Sequence, residues 1–366
     1  MNMIQNAKDQ VLDLTVAAYG KAAAQGLLPE DVAVTPSVEI PKDTANGDYT
    51  TTFCLAAAKA LKKNPRQVAQ ILMDHMDLAG SYFTSVEMAG PGFLNFRLGD
   101  KWFRDTVACV EREGADYGCN DTLKGQKIMV EFVSANPTGP MHMGNARGGV
   151  LGDTLASVLQ KSGANVWREF YVNDAGNQIV KLGESLTARY FEYFGKEYPL
   201  PEDGYHADDI KEIAAQLAKE EGDKWLTADP KERLAYFMDY GKKKELEKID
   251  RDLKTYRVTM QSWMHETFFY EDNCKRINAC LDRMADMGLT YEKDGALWFK
   301  STDYGDEKDR VLRKSDGTFS YLTPDIANHV YKVERGYPLL VDLWGADHHS
   351  YVIRMQNALT ALGYPK

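Results

Sequence analysis

Near the start of the chain the apolar positions Ile4, Ala7, Val11, Leu14 and Ala18 recur at helical spacing and predict an amphipathic helix. Gly47-Asp48-Tyr49 breaks the pattern before a second helix that runs to about Lys63. Asn64-Pro65 supplies a cap and a first-turn proline for a third helix, with Val68, Ile71 and Leu72 facing inward. Ala89-Gly90-Pro91-Gly92 reads as a tight turn feeding a strand over Phe93-Leu94-Asn95-Phe96. Residues 1–116 are therefore expected to form a separate α+β unit.

The pattern changes near Gly125. Lys127–Val133 is mostly apolar and predicts a buried strand, and from Ala146 onward Val150, Leu151, Leu155, Val158 and Leu159 recur at helical spacing. Between them lies a loop rich in Pro and Gly, so a strand enters it and a helix leaves it. In an open α/β sheet that crossing lies at the carboxyl edge of the strand, where ligands bind. Residues 185–300 interrupt the pattern with long, strongly charged helical segments, notably Asp208–Arg257, whose mixed-sign charge predicts a solvated face. The sheet is expected to resume at Leu297-Trp298-Phe299 and at Tyr337–Leu343. The fold class is α/β, with residues 117–366 forming a parallel-sheet domain that carries a helical insertion at 185–300.

Composition narrows this picture. A chain of 366 residues, 44% hydrophobic and 11% aromatic, suits two or three globular domains. Its five cysteines are odd in number and form no Cys-x-x-Cys pair, which argues against a disulfide framework and a zinc ribbon. No apolar run approaches membrane-spanning length and no leader pattern opens the chain, so a cytoplasmic protein without a membrane partner is expected. The net charge of −10 counts against non-specific binding of DNA or RNA but allows a local basic face. Lys59, Lys62, Lys63 and Arg66 cluster at one helix boundary, as a nucleic-acid contact or a solvated helix end, and charge leaves both open.

The loop at 134–148 carries the candidate chemistry. His142 and Asn145 stand three apart at the predicted helix start and can both point donors at one phosphate, while Gly144 lets a ligand approach the backbone. Asn145 donates without carrying charge, which makes phosphate binding less dependent on pH. Glu131, at the end of an apolar strand, is costly to bury without a cationic partner unless that position is open to water. His348 and His349 stand beside Asp347, but neighbours on a strand point to opposite faces and no third ligand has suitable spacing, so no protein-bound metal is expected.

His142-Met143-Gly144-Asn145 resembles the His-x-Gly-His signature of class I aminoacyl-tRNA synthetases, with Asn145 in the place of the second His. Glu131-x-x-Ser134-Ala135-Asn136-Pro137-Thr138-Gly139-Pro140 and Tyr171-Val172-Asn173-Asp174-Ala175-Gly176-Asn177-Gln178 narrow the resemblance to the bacterial arginyl-tRNA synthetases. It implies a Rossmann-like catalytic domain, and an N-terminal additional domain over 1–116 that contacts the outer corner of tRNA. The implied activity joins L-arginine to tRNA(Arg) at the expense of ATP, with Mg2+ arriving on the nucleotide and tRNA needed even for the first step. Activation needs positioning and charge neutralisation more than covalent help.

Carried over by the resemblance, His142 and Asn145 would be catalytic, and Pro137, Thr138, Gly139, Gly144, Gly345 and Asp347 would join them in binding ATP. Glu131, Ser134, Ala135 and Asn136 would meet the α-amino and carboxylate groups of arginine. Tyr321-Leu322-Thr323-Pro324-Asp325-Ile326-Ala327 resembles the family segment Tyr-x-x-Arg-Asp-Ile-Ala, with Pro324 for the usual Arg, so the local backbone is expected to differ. Asp325 would pair with the guanidinium and Tyr321 would cover it, because planar bidentate pairing suits that group. Trp263-x-x-Glu266 resembles the family's aromatic-x-x-Glu element and would make Glu266 a second partner, while His348 falls where relatives carry a Gln facing arginine. The family's Met-Ser-Lys loop and helical anticodon-binding domain would follow Lys366, so the chain as given is expected to be an N-terminal portion with catalysis impaired. A non-catalytic tRNA-binding fragment and a small-molecule nucleotidylyltransferase stand as the alternatives.

Overall fold

The computed structural model describes residues 2–30, 34 and 37–365, apart from the side chain of Asp347. The chain divides into two compact units, Met1–Asn120 and Asp121–Lys366.

In the first unit α1 (Met3–Ala24) buries Met3, Ala7, Val11, Ala18 and Ala22. The stripe starts one residue before the expected position, so Ile4 is exposed. Strands β1 (Val38–Glu39), β2 (Tyr49–Thr51), β3 (Phe83–Ala89) and β4 (Phe93–Leu98) form an antiparallel sheet of order β1-β2-β4-β3. The turn at Ala89–Phe93 makes β3 and β4 a hairpin. Helix α2 (Phe53–Leu61) precedes α3 (Pro65–His75). The α3 N-terminus is capped as expected: the Arg66 amide donates to the Asn64 side chain and the Asn64 amide to the Gln67 side chain. Val11, Phe53, Leu72, Leu94 and Phe96 centre the core, and α4 (Asp100–Glu113) closes the unit.

The second unit opens with β5 (Lys127–Glu131), α5 (Met143–Lys161), β6 (Asn165–Val172) and α6 (Asn177–Tyr193). It continues through α7 (Asp208–Glu221), α8 (Pro230–Thr255), β7 (Ser262–His265) and α9 (Glu271–Asp286) to β8 (Thr290–Lys293), β9 (Ala296–Phe299) and β10 (Arg310–Arg313). Helix α10 (Leu322–Glu334), β11 (Leu339–Asp342) and α11 (His349–Ala361) end it. Strands β11, β5, β6 and β7 form a wholly parallel sheet in that order. The chain winds outward from β5 to β6 and β7, then returns to lay β11 on the other side of β5. The direction of winding thus reverses between β5 and β11, and in open α/β sheets ligands bind at the carboxyl ends of such a pair. Asp342 and Glu131 are register partners there.

Helix α5 packs through small residues, with Gly149, Gly152 and Ala156 buried and Val150, Leu151 and Val158 exposed. A Cβ at Gly152 would stand 2.2 Å from Cγ of Phe132, so the helix approaches the end of β5 too closely for a larger residue. Three expectations need correction. Leu297-Trp298-Phe299 does not continue the parallel sheet but forms β9 in a separate antiparallel sheet, β10-β9-β8. The reason is local: Asp294 and Gly295 both have positive φ, and this tight two-residue turn folds β9 straight back on β8. The interval 185–300 is also not wholly an insertion, because β7 within it is the edge strand of the parallel sheet. Finally, the charged helices do not only face solvent. Asp209, Arg233 and Glu245 are buried where α6, α7 and α8 pack together around Leu186, Tyr190, Leu217 and Phe237.

Candidate active site

The loop leaving β5 bends sharply. Val133 and Ser134 take left-handed φ values of 70° and 40°, a conformation that costs a β-branched residue free energy and that clusters at functional sites. The bend lets the Ser134 hydroxyl donate to Glu131 Oε1 at 3.0 Å and accept from the Tyr171 amide at 3.1 Å, tying the loop to β5 and β6. At the head of α5, His142 Nδ1 accepts from the amides of Gly144 and Asn145 at 3.0 and 3.4 Å, and Asn145 Oδ1 accepts from the His142 amide at 3.1 Å. This reciprocal cap sets the chemistry of both side chains. An Nδ1 that accepts leaves the ring proton on Nε2, so His142 presents a donor outward. Asn145, its oxygen engaged, likewise presents its amide hydrogens. A Cβ at Gly144 would lie 2.8 Å from His142 Cε1, so glycine is required for the ring to lie there. Two side-chain donors and the positive end of a helix thus share one exposed corner, which suits a polyphosphate.

The cation that Glu131 calls for is Lys332, fully buried on α10. Its Nζ donates to Glu131 Oε2 at 2.6 Å and to Asp342 Oδ1 at 2.7 Å, joining β5 and β11 at the switch point. His329 Nε2 pairs with Asp342 Oδ2 at 3.0 Å. Burial disfavours the charged form of Lys332, but Asp342 and Glu131 outweigh it and hold the pKa above the ordinary lysine value. Burial likewise opposes ionisation of Asp342, but Lys332 and His329 pull it well below the usual carboxylate range. Asp325, His329 and Lys332 lie at i, i+4 and i+7 on α10, a polar stripe on one helical face that was the available signal for Lys332.

Asp325 and Glu266 sit near each other at the same edge. Asp325 is in the first turn of α10, where Pro324 is tolerated because amides there need no intrahelical acceptor. Burial raises the Asp325 carboxyl, against a hydrogen bond from the Tyr351 hydroxyl. Burial and the Asp325 charge together push Glu266 up to about 7, although Tyr270 donates to it at 3.1 Å. Burial, with the charges of Glu266, Asp325 and Glu131, raises the pKa of Tyr171, whose hydroxyl is buried without a well-formed hydrogen bond. Tyr321, expected to cover the pocket, is 80% exposed before α10, and Tyr351 of α11 is the phenol that meets Asp325. The sequence reading missed Tyr351, Tyr171 and Lys332 as site residues.

Asp174, in the turn after β6, fixes the neighbouring backbone. It accepts from His265 Nδ1 at 2.9 Å, from the amide and hydroxyl of Thr267 at 3.0 Å each, and from Lys242 at 3.3 Å. Burial would raise its pKa, but these partners hold it down at about 2. The segment on either side of Glu266 is anchored by this one carboxylate.

The remaining expected residues are less engaged. Asn136 is exposed, Ala135 packs partly against the sheet's core, and Pro137 is buried ahead of the half-buried Thr138 and Gly139. Gly345 opens a short turn at the end of β11, and the Asp347 side chain lies outside the described residues. The His348 ring lies 6.4 Å from the rings of both Trp344 and Tyr351. Lys59, Lys62, Lys63 and Arg66 do fall at the α2–α3 boundary, with Arg66 bonded to the Gly90 carbonyl at 2.6 Å. Among the described residues no cluster of three or more His, Cys, Asp or Glu could hold a metal, and no helix is long and apolar enough to cross a membrane.

A family model described as the arginyl tRNA synthetase N terminal domain matches residues 12–98, and one described as tRNA synthetases class I (R), catalytic domain, matches residues 110–365. The arginine–tRNA ligase of Shouchella clausii is 48% identical over 366 residues, and that of Bacillus subtilis 45%. Both alignments cover 100% of this chain and 65% of the relative, so the chain spans about two thirds of the length of these curated relatives. The arginyl-tRNA synthetase structure from Thermus thermophilus superposes with a TM-score of 0.57 at 20% identity, covering 98% of this chain and 63% of that one, and shares the fold.

Proposed function

The chain belongs to the arginyl-tRNA synthetase family of class I tRNA synthetases, and on that basis we propose that it carries the arginine- and ATP-binding half-sites of an arginine–tRNA ligase acting in the cytoplasm. The observation that carries the reading is that the buried Glu131 and Glu266 and the half-buried Asp325 lie at the carboxyl edge of the parallel sheet, the edge at which the α5 N-terminus presents His142 and Asn145. One corner suits a triphosphate and the adjoining one suits a cationic amino acid. In the first step the arginine carboxylate attacks the α-phosphate of ATP and pyrophosphate leaves. In the second a hydroxyl at the 3′ end of tRNA(Arg) attacks the adenylate carbonyl and AMP leaves. His142 Nε2–H and the Asn145 amide would neutralise the developing phosphate charge, with Mg2+ arriving on ATP. Glu266 and Asp325 would hold the guanidinium, while Glu131 and Ser134, locked together, would shape the loop that receives the α-amino group. Residues 1–116 would contact tRNA.

The test is calorimetric titration of this chain with arginine, with lysine and citrulline as controls. Saturable binding of arginine alone, abolished by Asp325→Ala, is the expected result. Equal binding of all three amino acids, or arginine binding untouched by Asp325→Ala, would refute the assignment.

A further inference from the structure

Tyr171, near the end of β6 before Asp174, has no part in the arginine and ATP contacts assigned so far. It is 9% exposed, and its buried hydroxyl lies close enough to Glu266 to favour that carboxylate, but without a hydrogen bond of good geometry. Its backbone is held rigidly, with the amide bonded to Ser134 Oγ at 3.1 Å and its residue paired to Met264 of β7. The residue belongs to the hydrophobic cluster that also holds Phe269, Ile326 and Leu322. The charged groups acting on the phenol are the carboxyls of Glu266, Asp325 and Glu131. A folded chain rarely leaves a buried hydroxyl unpaired, and where it does, a ligand or ordered water completes the site. Glu131 is already paired with Lys332, so a cationic ligand would answer the phenol together with the carboxyls of Glu266 and Asp325, whereas water would bring no charge.

We propose that Tyr171 is a specificity-determining residue whose hydroxyl contacts the guanidinium of the bound substrate, between the two carboxylates that carry its charge. The inference rests on the arginine reading of this pocket. A guanidinium presents five N–H donors in one plane, more than two carboxylates at its edges readily satisfy. A phenol oxygen lying among those carboxylates accepts from a guanidinium N–H while its own hydrogen turns to Glu266 or Asp325. A primary ammonium, a compact charge with three rotatable donors, needs no such third acceptor. Tyr171 would therefore favour guanidinium over ammonium without adding charge. Tyr270 and Tyr351 already donate to Glu266 and Asp325, whereas the Tyr171 hydroxyl reaches Glu266 without good geometry.

The decisive variant is Tyr171→Phe, which removes one oxygen and keeps the ring. Arginine affinity should fall by about tenfold or more, the usual loss for a hydrogen bond to a charged group. Agmatine, which keeps the guanidinium but lacks the carboxylate, should lose the same factor. The melting temperature of the ligand-free protein should hold or rise, because the oxygen removed has no well-formed hydrogen bond there. Unchanged arginine affinity would overturn the proposal, as would an arginine loss that agmatine does not share. A fall in affinity accompanied by a lower ligand-free melting temperature would mark the hydroxyl as structural and overturn it too. Failure of the unsubstituted chain to bind arginine would instead sink the functional reading, and this inference with it.

Discussion

Glu266 should make arginine binding steeply dependent on pH. Burial and Asp325 push it up to about 7, from an ordinary value of 4.5, so near neutrality it is close to half protonated. A guanidinium stays charged throughout the accessible range and is held best by the carboxylate, so only the ionised fraction of the pocket binds arginine fully. With a pKa near 7, that fraction falls to about one tenth at pH 6 and about one hundredth at pH 5, and arginine should bind more weakly by those factors. Above about pH 8 the affinity should reach a plateau. Binding at pH 7 should release about half a proton per arginine. Calorimetry in two buffers of different ionisation enthalpy measures the affinity and the proton count together. Glu266→Gln should bind more weakly at pH 8, by about tenfold or more, and with a much flatter profile. Wild-type affinity that is flat between pH 5.5 and 8, with no proton released, would refute the reasoning and place Glu266 outside the guanidinium's reach.

Other expectations follow from the same contacts. Glu266 has a folded-state pKa above its unfolded one, so the ligand-free wild type is penalised as pH climbs from about 4.5 to 7. Glu266→Gln escapes this, and urea denaturation should show its stability relative to wild type growing across that window, opposite in sign to a lost structural contact. Lys332→Met strands Glu131 and Asp342 as buried, unpaired carboxylates and should cost about 3–5 kcal/mol in chemical denaturation, with Lys332→Arg costing less; a loss under about 1 kcal/mol would contradict the pairing. Gly144→Ala places a methyl against the His142 ring and should weaken ATP binding severalfold in a direct titration while leaving the melting temperature nearly unchanged.

How far the sequence alone carries this protein depends on how far along the chain each signal reaches. Periodicity, caps and turns act within a few residues, so the strand–loop–helix at 127–161, the Asn64-Pro65 cap and the turn between β3 and β4 are legible in the order of residues. The capped head of α5 is legible for the same reason, because His142 and Asn145 cap each other across three residues. Desolvation is a further local signal: a carboxylate ending a buried strand calls for a cation. Which cation lies beyond the sequence, since Lys332 is 201 residues further on and meets Glu131 only because β11 returns beside β5. The same holds for Tyr351 on Asp325 and for Tyr171 near Glu266, each brought in by a different element. Trp298 misleads because strand pattern specifies a residue's local conformation, not the sheet it joins. The elements and the kinds of chemistry they carry are thus written locally in the chain. Which charges share one low-dielectric space is settled only by tertiary packing, because that depends on the order in which parallel strands are laid side by side, and no local interaction encodes that order.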